Sequence, residues 1–222
     1  MHRLRNESRE PGASRRTEVT MSSKQAPRSH PRVLVSRSVD ERRKVSRNAD
    51  SVRERLRNGA QLIVVDSGDR VIDLSEKELR AKHEWTLRIV GTSKVRIHLS
   101  TPLPATAQIV ATGRSFVEVT GRVTVHAYTH ATVHAFDQCT VHAWNYAAVS
   151  ACDSVVVVAV DDTEIAAYDH ARVDASDRAR VTAADSSSVR LSGDASAAVT
   201  RGVKVTGPAR ANVHVASSGL LT

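Results

Sequence analysis

From residue 109 onward the apolar positions of the chain fall into step every eight residues. Ile109, Val117, Val125, Val133, Val141, Val149, Val157, Ile165, Val173, Val181, Val189, Val205 and Val213 share one register, and Ala197 alone lacks a branched side chain there. Two residues later runs a second column, Val119 followed by Ala127, Ala135, Ala143, Ala151, Ala159, Ala167, Ala175 and Ala183, then Leu191 and Val199. Two residues earlier the column is again mostly Ala, with Val123, Cys139, Val155 and Ser187 among its exceptions. Four residues after the central Val stand Asp137, Asn145, Asp153, Asp161, Asp169, Asp177 and Asp185. The unit is A-x-V-x-A-x-D-x. Its alternation puts Ala, Val and Ala on one face of a strand, and the Asx residue opens the turn to the next, where its side chain can accept from backbone N–H groups. A helix cannot hold the pattern, because eight residues advance it by about 800° and leave successive valines about 80° apart.

An eight-residue unit cannot fold alone, so equivalent strands must stack on one another in later coils, which predicts an all-β fold, a parallel β-solenoid over 105–218 followed by a short tail, 219–222. One Val and two Ala per octad fill only a thin interior. That favours two octads per coil, with two facing sheets, over a three-sided coil that needs bulkier filling. The pattern resembles the octapeptide-repeat β-helices, of the type V-x-A-x-D-x-A-x, of bacterial and bacteriophage proteins. The resemblance spans about residues 109–216 and implies the fold and a phage or bacterial structural role. It brings no activity with it.

Upstream the periodicity changes. Residues 61–73 read as two strands around Ser67-Gly68-Asp69, and Ser75 with Glu78 forms a capping box that starts a short helix, with Leu74 stapled onto Leu79. The stretches 85–90 and 95–99 alternate as strands. Because a solenoid exposes an apolar end unless a terminal unit covers it, residues 60–104 are expected to form a short α/β N-terminal cap. Val45, Ala49, Val52 and Leu56 recur at helical steps after Ser38 and Glu41, and Asn58-Gly59 follows, so the segment 38–59 is expected to carry an amphipathic helix over about 39–57. Residues 1–37, rich in Arg, Ser and Pro without periodic apolar positions, are expected to form a disordered basic arm. Met21 within it is a second candidate start.

Composition sharpens this picture in two ways. Aromatic residues are 3% of the 222-residue chain although 41% is hydrophobic, which excludes a large aromatic-centred core. The formal charge of +8 divides unevenly: residues 1–60 hold 16 Lys and Arg against 7 Asp and Glu, and residues 115–222 hold 8 against 11. The excess belongs to the N-terminus, where Arg42, Arg43, Lys44, Arg47, Arg53, Arg55 and Arg57 line the helix's polar face. They are candidate contacts to nucleic-acid phosphates or, less favoured, to an anionic membrane surface, or simply a solvated face. No apolar run is long enough to span a bilayer and no signal-peptide pattern occurs, so a cytoplasmic or virion-associated location is expected. Two cysteines outside any C-x-x-C pair are expected to be reduced thiols.

The chemistry of the octads lies at their outward positions. His126, His134 and His142 follow at octad spacing, with Tyr128, Phe136 and Trp144 one outward step later. In a two-sheet coil His126 stacks beside His142 and Tyr128 beside Trp144, while His134 takes the other sheet. The three histidines are candidates for a metal, zinc trapped between chains above all, but parallel outward side chains do not converge as ligands must. No metal or other cofactor is expected. The next octad turns Val156, Val158 and Val160 outward, making that strand apolar on both faces, and such strands are usually covered. The expected interface is therefore His126, Tyr128, His142, Trp144, Val156, Val158 and Val160, covered by copies of the chain in a homo-oligomer, by the chain's own N-terminal helix, or by another protein or a glycan. No nucleophile elbow, phosphate loop or H-E-x-x-H occurs, and the repeated Asp sit at turns without a distinguished pair. The expectation is a non-enzymatic structural or interaction protein. A nucleic-acid-associated protein is the second reading and a zinc-dependent enzyme the third.

Overall fold

The computed structural model describes residues 45–208 and 212–216. Its first elements are β1 (Val45–Ser46), α1 (Ala49–Arg57), β2 (Leu62–Val65), β3 (Val71–Ser75), α2 (Glu76–Leu79), β4 (Trp85–Ile89) and β5 (Lys94–Leu99). The octads supply β6 (Ala107–Ala111), β7 (Phe116–Gly121), β8 (Thr124–Ala127), β9 (Thr132–Ala135), β10 (Thr140–Ala143), β11 (Ala148–Ala151) and β12 (Val156–Ala159). They continue through β13 (Glu164–Ala167), β14 (Arg172–Ala175), β15 (Arg180–Ala183), β16 (Ser188–Leu191), β17 (Ser196–Val199), β18 (Lys204–Thr206) and β19 (Asn212–Val215). β1, β2 and the even strands from β4 to β18 form sheet A; the odd strands from β3 to β19 form sheet B. Every pairing is parallel, and successive octads alternate between the sheets, so the chain is a two-sided β-solenoid of about ten turns.

Register fixes the coil at two octads. Val125 pairs with Val141, Val141 with Val157, and Val133 with Val149, so each central Val meets its counterpart two repeats on. The inward columns are buried from Ile109 in β6 to Val199 in β17, with Ala131, Val133, Ala135, Cys139, Val141 and Ala143 fully so, and they open at the last rungs, where Val205 is half-buried and Val213 exposed. A fully buried Val contributes about 1.5–3 kcal/mol, and the octads repeat that contribution strand after strand.

The corner explains the Asx column. Asp137, Asn145, Asp153, Asp161, Asp169, Asp177 and Asp185 all have φ between 56° and 61° except Asp161 at 64°. Asn and Asp tolerate this left-handed conformation because their short polar side chains bond locally. Thr129, one octad earlier, shares it, and Gly113, Gly121 and Gly193 continue the same column. At Gly121 (φ 87°) a side chain would also collide with the Leu99 carbonyl oxygen. Side chains of this column accept from the backbone N–H one coil before: Asp137 from Gly121 (2.8 Å), Asp153 from Asp137 (3.0 Å), Asp161 from Asn145 (3.0 Å) and Asp169 from Asp153 (3.2 Å). The Asx side chains thus bond the coils together along their corners.

The α/β segment 60–104 belongs to the same two sheets. Ile63 pairs with Leu87, Leu87 with Ile109, and Val95 with Val117, so these coils are longer than two octads and are filled by larger side chains. Trp85, Leu87, Ile89, Ile97 and Leu99 are all buried. Trp85 is a local exception to an interior without aromatics, and the side chain it meets on the next rung is the small Ala107. α2 forms on the expected capping box, with Glu78 accepting from the Ser75 N–H (2.9 Å) and hydroxyl (2.7 Å). Glu76 holds the turn after β5 through the N–H of Ser100 (2.6 Å), and the bonds from Ser100 and Thr101 lower its carboxyl pKa.

The N-terminal helix differs from its predicted bounds. Val45 and Ser46 pair with Val64 and Val65 as a strand, and the helix starts at Ala49 behind Asn48. Asn48 accepts from the Ser51 N–H at 2.8 Å in a capping box of its own. Sheet pairing therefore overrides the helical spacing of Val45, while Val52 and Leu56 are buried as that spacing required. α1 packs on α2, β2 and β3 at the start of the solenoid. Ser38, Glu41, the arm 1–37 and the tail 219–222 lie outside the described residues. Among the described residues no helix is long and apolar enough to cross a membrane.

Candidate interaction surface

Three consecutive rungs of sheet A build the surface. Register places Thr124, Thr140 and Val156 in one outward column and His126, His142 and Val158 in the next. Tyr128, Trp144 and Val160 follow at the corner, one on each successive coil. All seven residues expected at the interface therefore share one face. Val156 is 38% exposed, and the other six are half-buried.

The rings stack along the solenoid. Tyr128 and Trp144 lie 4.7 Å apart and 6° from parallel, and His126 and His142 lie 5.2 Å apart and 16° from parallel. Trp144 also stacks on both imidazoles, at 5.8 and 5.9 Å. Centroid spacing close to the strand spacing of about 4.8 Å means each ring turns its face to the next coil and its edge outward. A sugar or a nucleobase needs an open aromatic face, so this stack suits a protein partner better than a glycan.

Burial lowers the pKa of His126 and of His142, and the neighbouring His142 lowers His126 further. The Nδ1 atom of His126 is buried without a hydrogen-bond partner. Both imidazoles are thereby biased toward the neutral form, and the surface toward apolar character. Burial also raises the Tyr128 hydroxyl.

His134 stands on sheet B, with its ring edge-on to Phe116 at 4.7 Å, so the structure does not bring the three metal candidates together. His130 stacks on Tyr146 at 5.3 Å, and Cys139 is inside the solenoid. Among the described residues no group of three or more His, Cys, Asp or Glu is placed to hold a metal ion.

The basic helix is only partly displayed. Arg47 and Arg57 are exposed, Arg53 is half-buried and paired with Asp50, and Arg55 is half-buried. Arg42, Arg43 and Lys44 lie outside the described residues.

Beyond β12 the face turns charged. Asp174 and Arg190 follow Val158 in the central column, and Arg172, Ser188 and Lys204 follow Val156. Arg190 grips Asp174 with two parallel contacts, Nε to Oδ1 at 2.7 Å and the second nitrogen to Oδ2. Sequence reasoning located the apolar rung but did not single out this ion pair beside it; the signal was opposite charges at the same outward position of octads two repeats apart. Comparison with protein-family models, curated proteins and solved structures finds no match.

Proposed function

We propose that the protein is a non-enzymatic β-solenoid scaffold whose sheet A face, over β8, β10 and β12, associates with copies of itself. One observation carries this reading: β12 is apolar on both faces, with Val157 fully buried inward and Val156 and Val158 outward, Val160 at the corner that follows, and a stack of four rings beside them. Water contact with such a strip is unfavourable, and monomers rarely leave one contiguous. Elsewhere the octads place mostly Thr, Ser, Ala and charged side chains outward, and the repeat tolerates them at any such position. The valines are thus not required by the fold.

Light scattering on the full-length protein tests the reading. An oligomer is expected, and Val158→Lys is expected to dissociate it while leaving the β circular-dichroism signal unchanged, because the new ammonium points away from the interior. A wild-type monomer at all concentrations, or an oligomer indifferent to Val158→Lys, sinks the proposal.

A further inference from the structure

The order of side chains along sheet A says more than that the face is apolar. Its central column reads His126, His142, Val158, Asp174, Arg190, with neighbouring members one coil apart. Val158 is its midpoint. One coil to either side stand His142 and Asp174, and two coils to either side His126 and Arg190. A two-fold dimer uses the same patch on both copies, so a patch fits only if it is complementary to its own rotated image.

Two face-to-face rotations keep the strands of the two copies aligned. With the solenoid axes parallel, each rung meets its own copy, and Asp174 faces Asp174 while Arg190 faces Arg190. With the two-fold along β12, the axes run antiparallel: Val158 meets Val158, Asp174 meets His142 of the second copy, and Arg190 meets His126. The first juxtaposes like charges. The second lays the Asp174–Arg190 ion pair over the stacked His142–His126 pair, setting the carboxylate against the edge of an imidazole that can donate an N–H and leaving no like charges opposite one another.

Resting on the self-association reading above, we infer that the partner is a second copy of this chain, docked face to face on sheet A with its solenoid axis antiparallel and the two-fold passing through β12. The strip from β6 to β18 measures about 34 Å by 16 Å, roughly 1,100 Å² over both copies, at the small end for a specific complex. A face of this size belongs with weak or transient complexes, so the dimer is to be sought at high protein concentration.

Spin-label distances on the full chain decide the geometry. In a Cys152→Ser background, Thr206→Cys places a label on β18, an exposed strand three coils beyond β12. Antiparallel docking separates the two labels by six coil spacings and one sheet spacing, about 30 Å in all; parallel docking leaves them about 10 Å apart. A signal at the longer of these distances that vanishes with Val158→Lys is the expected result. Dimers with a short label distance overturn the antiparallel arrangement and leave self-association standing. Monomers throughout overturn both. Asp174→Lys, on an exposed side of the sheet, sets a cation against the imidazole of the second copy and is expected to weaken the dimer at least tenfold. An unchanged dimer overturns the proposed pairing.

Discussion

At the octad corners held by Asx, one residue takes a left-handed backbone conformation and offers a side-chain oxygen to the preceding coil. Both requirements select Asx, and they can be separated at Asp153, which has φ 58° and accepts from the Asp137 N–H at 3.0 Å. Asp153→Asn keeps the conformation and an acceptor, and removes a carboxylate from a row of like charges. Its stability is expected to stay within about 0.5 kcal/mol of wild type. Asp153→Ala loses the acceptor and adopts the same φ unfavourably, so a loss of about 2 kcal/mol is expected from the two effects together. Urea unfolding of the two variants measures the difference. The Asx column was visible as seven successive residues, whereas the glycines of the same column were not, because Gly113, Gly121 and Gly193 share its backbone angle without sharing its side chain.

Between elements, the ring ladder on β8 and β10 couples stability to pH. Burial holds His126 and His142 below their ordinary pKa of 6.5, so in acid the unfolded chain binds protons more readily than the folded one. Their contribution is fully present above about pH 6.5 and is lost as the pH falls from there through the folded values. Thermal unfolding from pH 7.5 to 5 is expected to show a falling midpoint, and the His126→Gln/His142→Gln variant a flatter profile; parallel profiles would remove the histidines as the cause. At this scale local pattern and pairing competed at one place. The spacing of Val45 with Ala49 and Val52 is helical, yet an open strand edge beside β2 offered Val45 and Ser46 hydrogen-bonded partners, and the helix began four residues later at Asn48's cap.

For the molecule as a whole, a solenoid's stability is close to a sum over coils and their neighbours. Removing one whole coil, residues 172–187, joins Ala171 to Ser188 with both the inward phase and the sheet alternation intact. The shortened protein is expected to keep its β signal and to unfold at lower urea concentration with a smaller slope, since less surface is exposed on unfolding. Failure to fold would mean that particular coils, and not the repeat, hold the structure. The eight-residue period and the small inward side chains were enough to specify parallel strands and the inward face and to favour the two-octad coil, because alternation and interior volume are local properties; the register between strands decided the coil. Which outward residues become neighbours was decided by register across coils, through contacts two octads apart in the repeat region and further apart upstream. Alternation alone groups Trp85 with Leu87 and Ile89, and the octad period sets Asp174 and Arg190 at equivalent positions, but long-range packing decided that the face of Trp85 is the interior and that the two charges touch. That the strands of 60–104 continue both sheets was likewise decided by pairing across coils, because the octad period does not extend there.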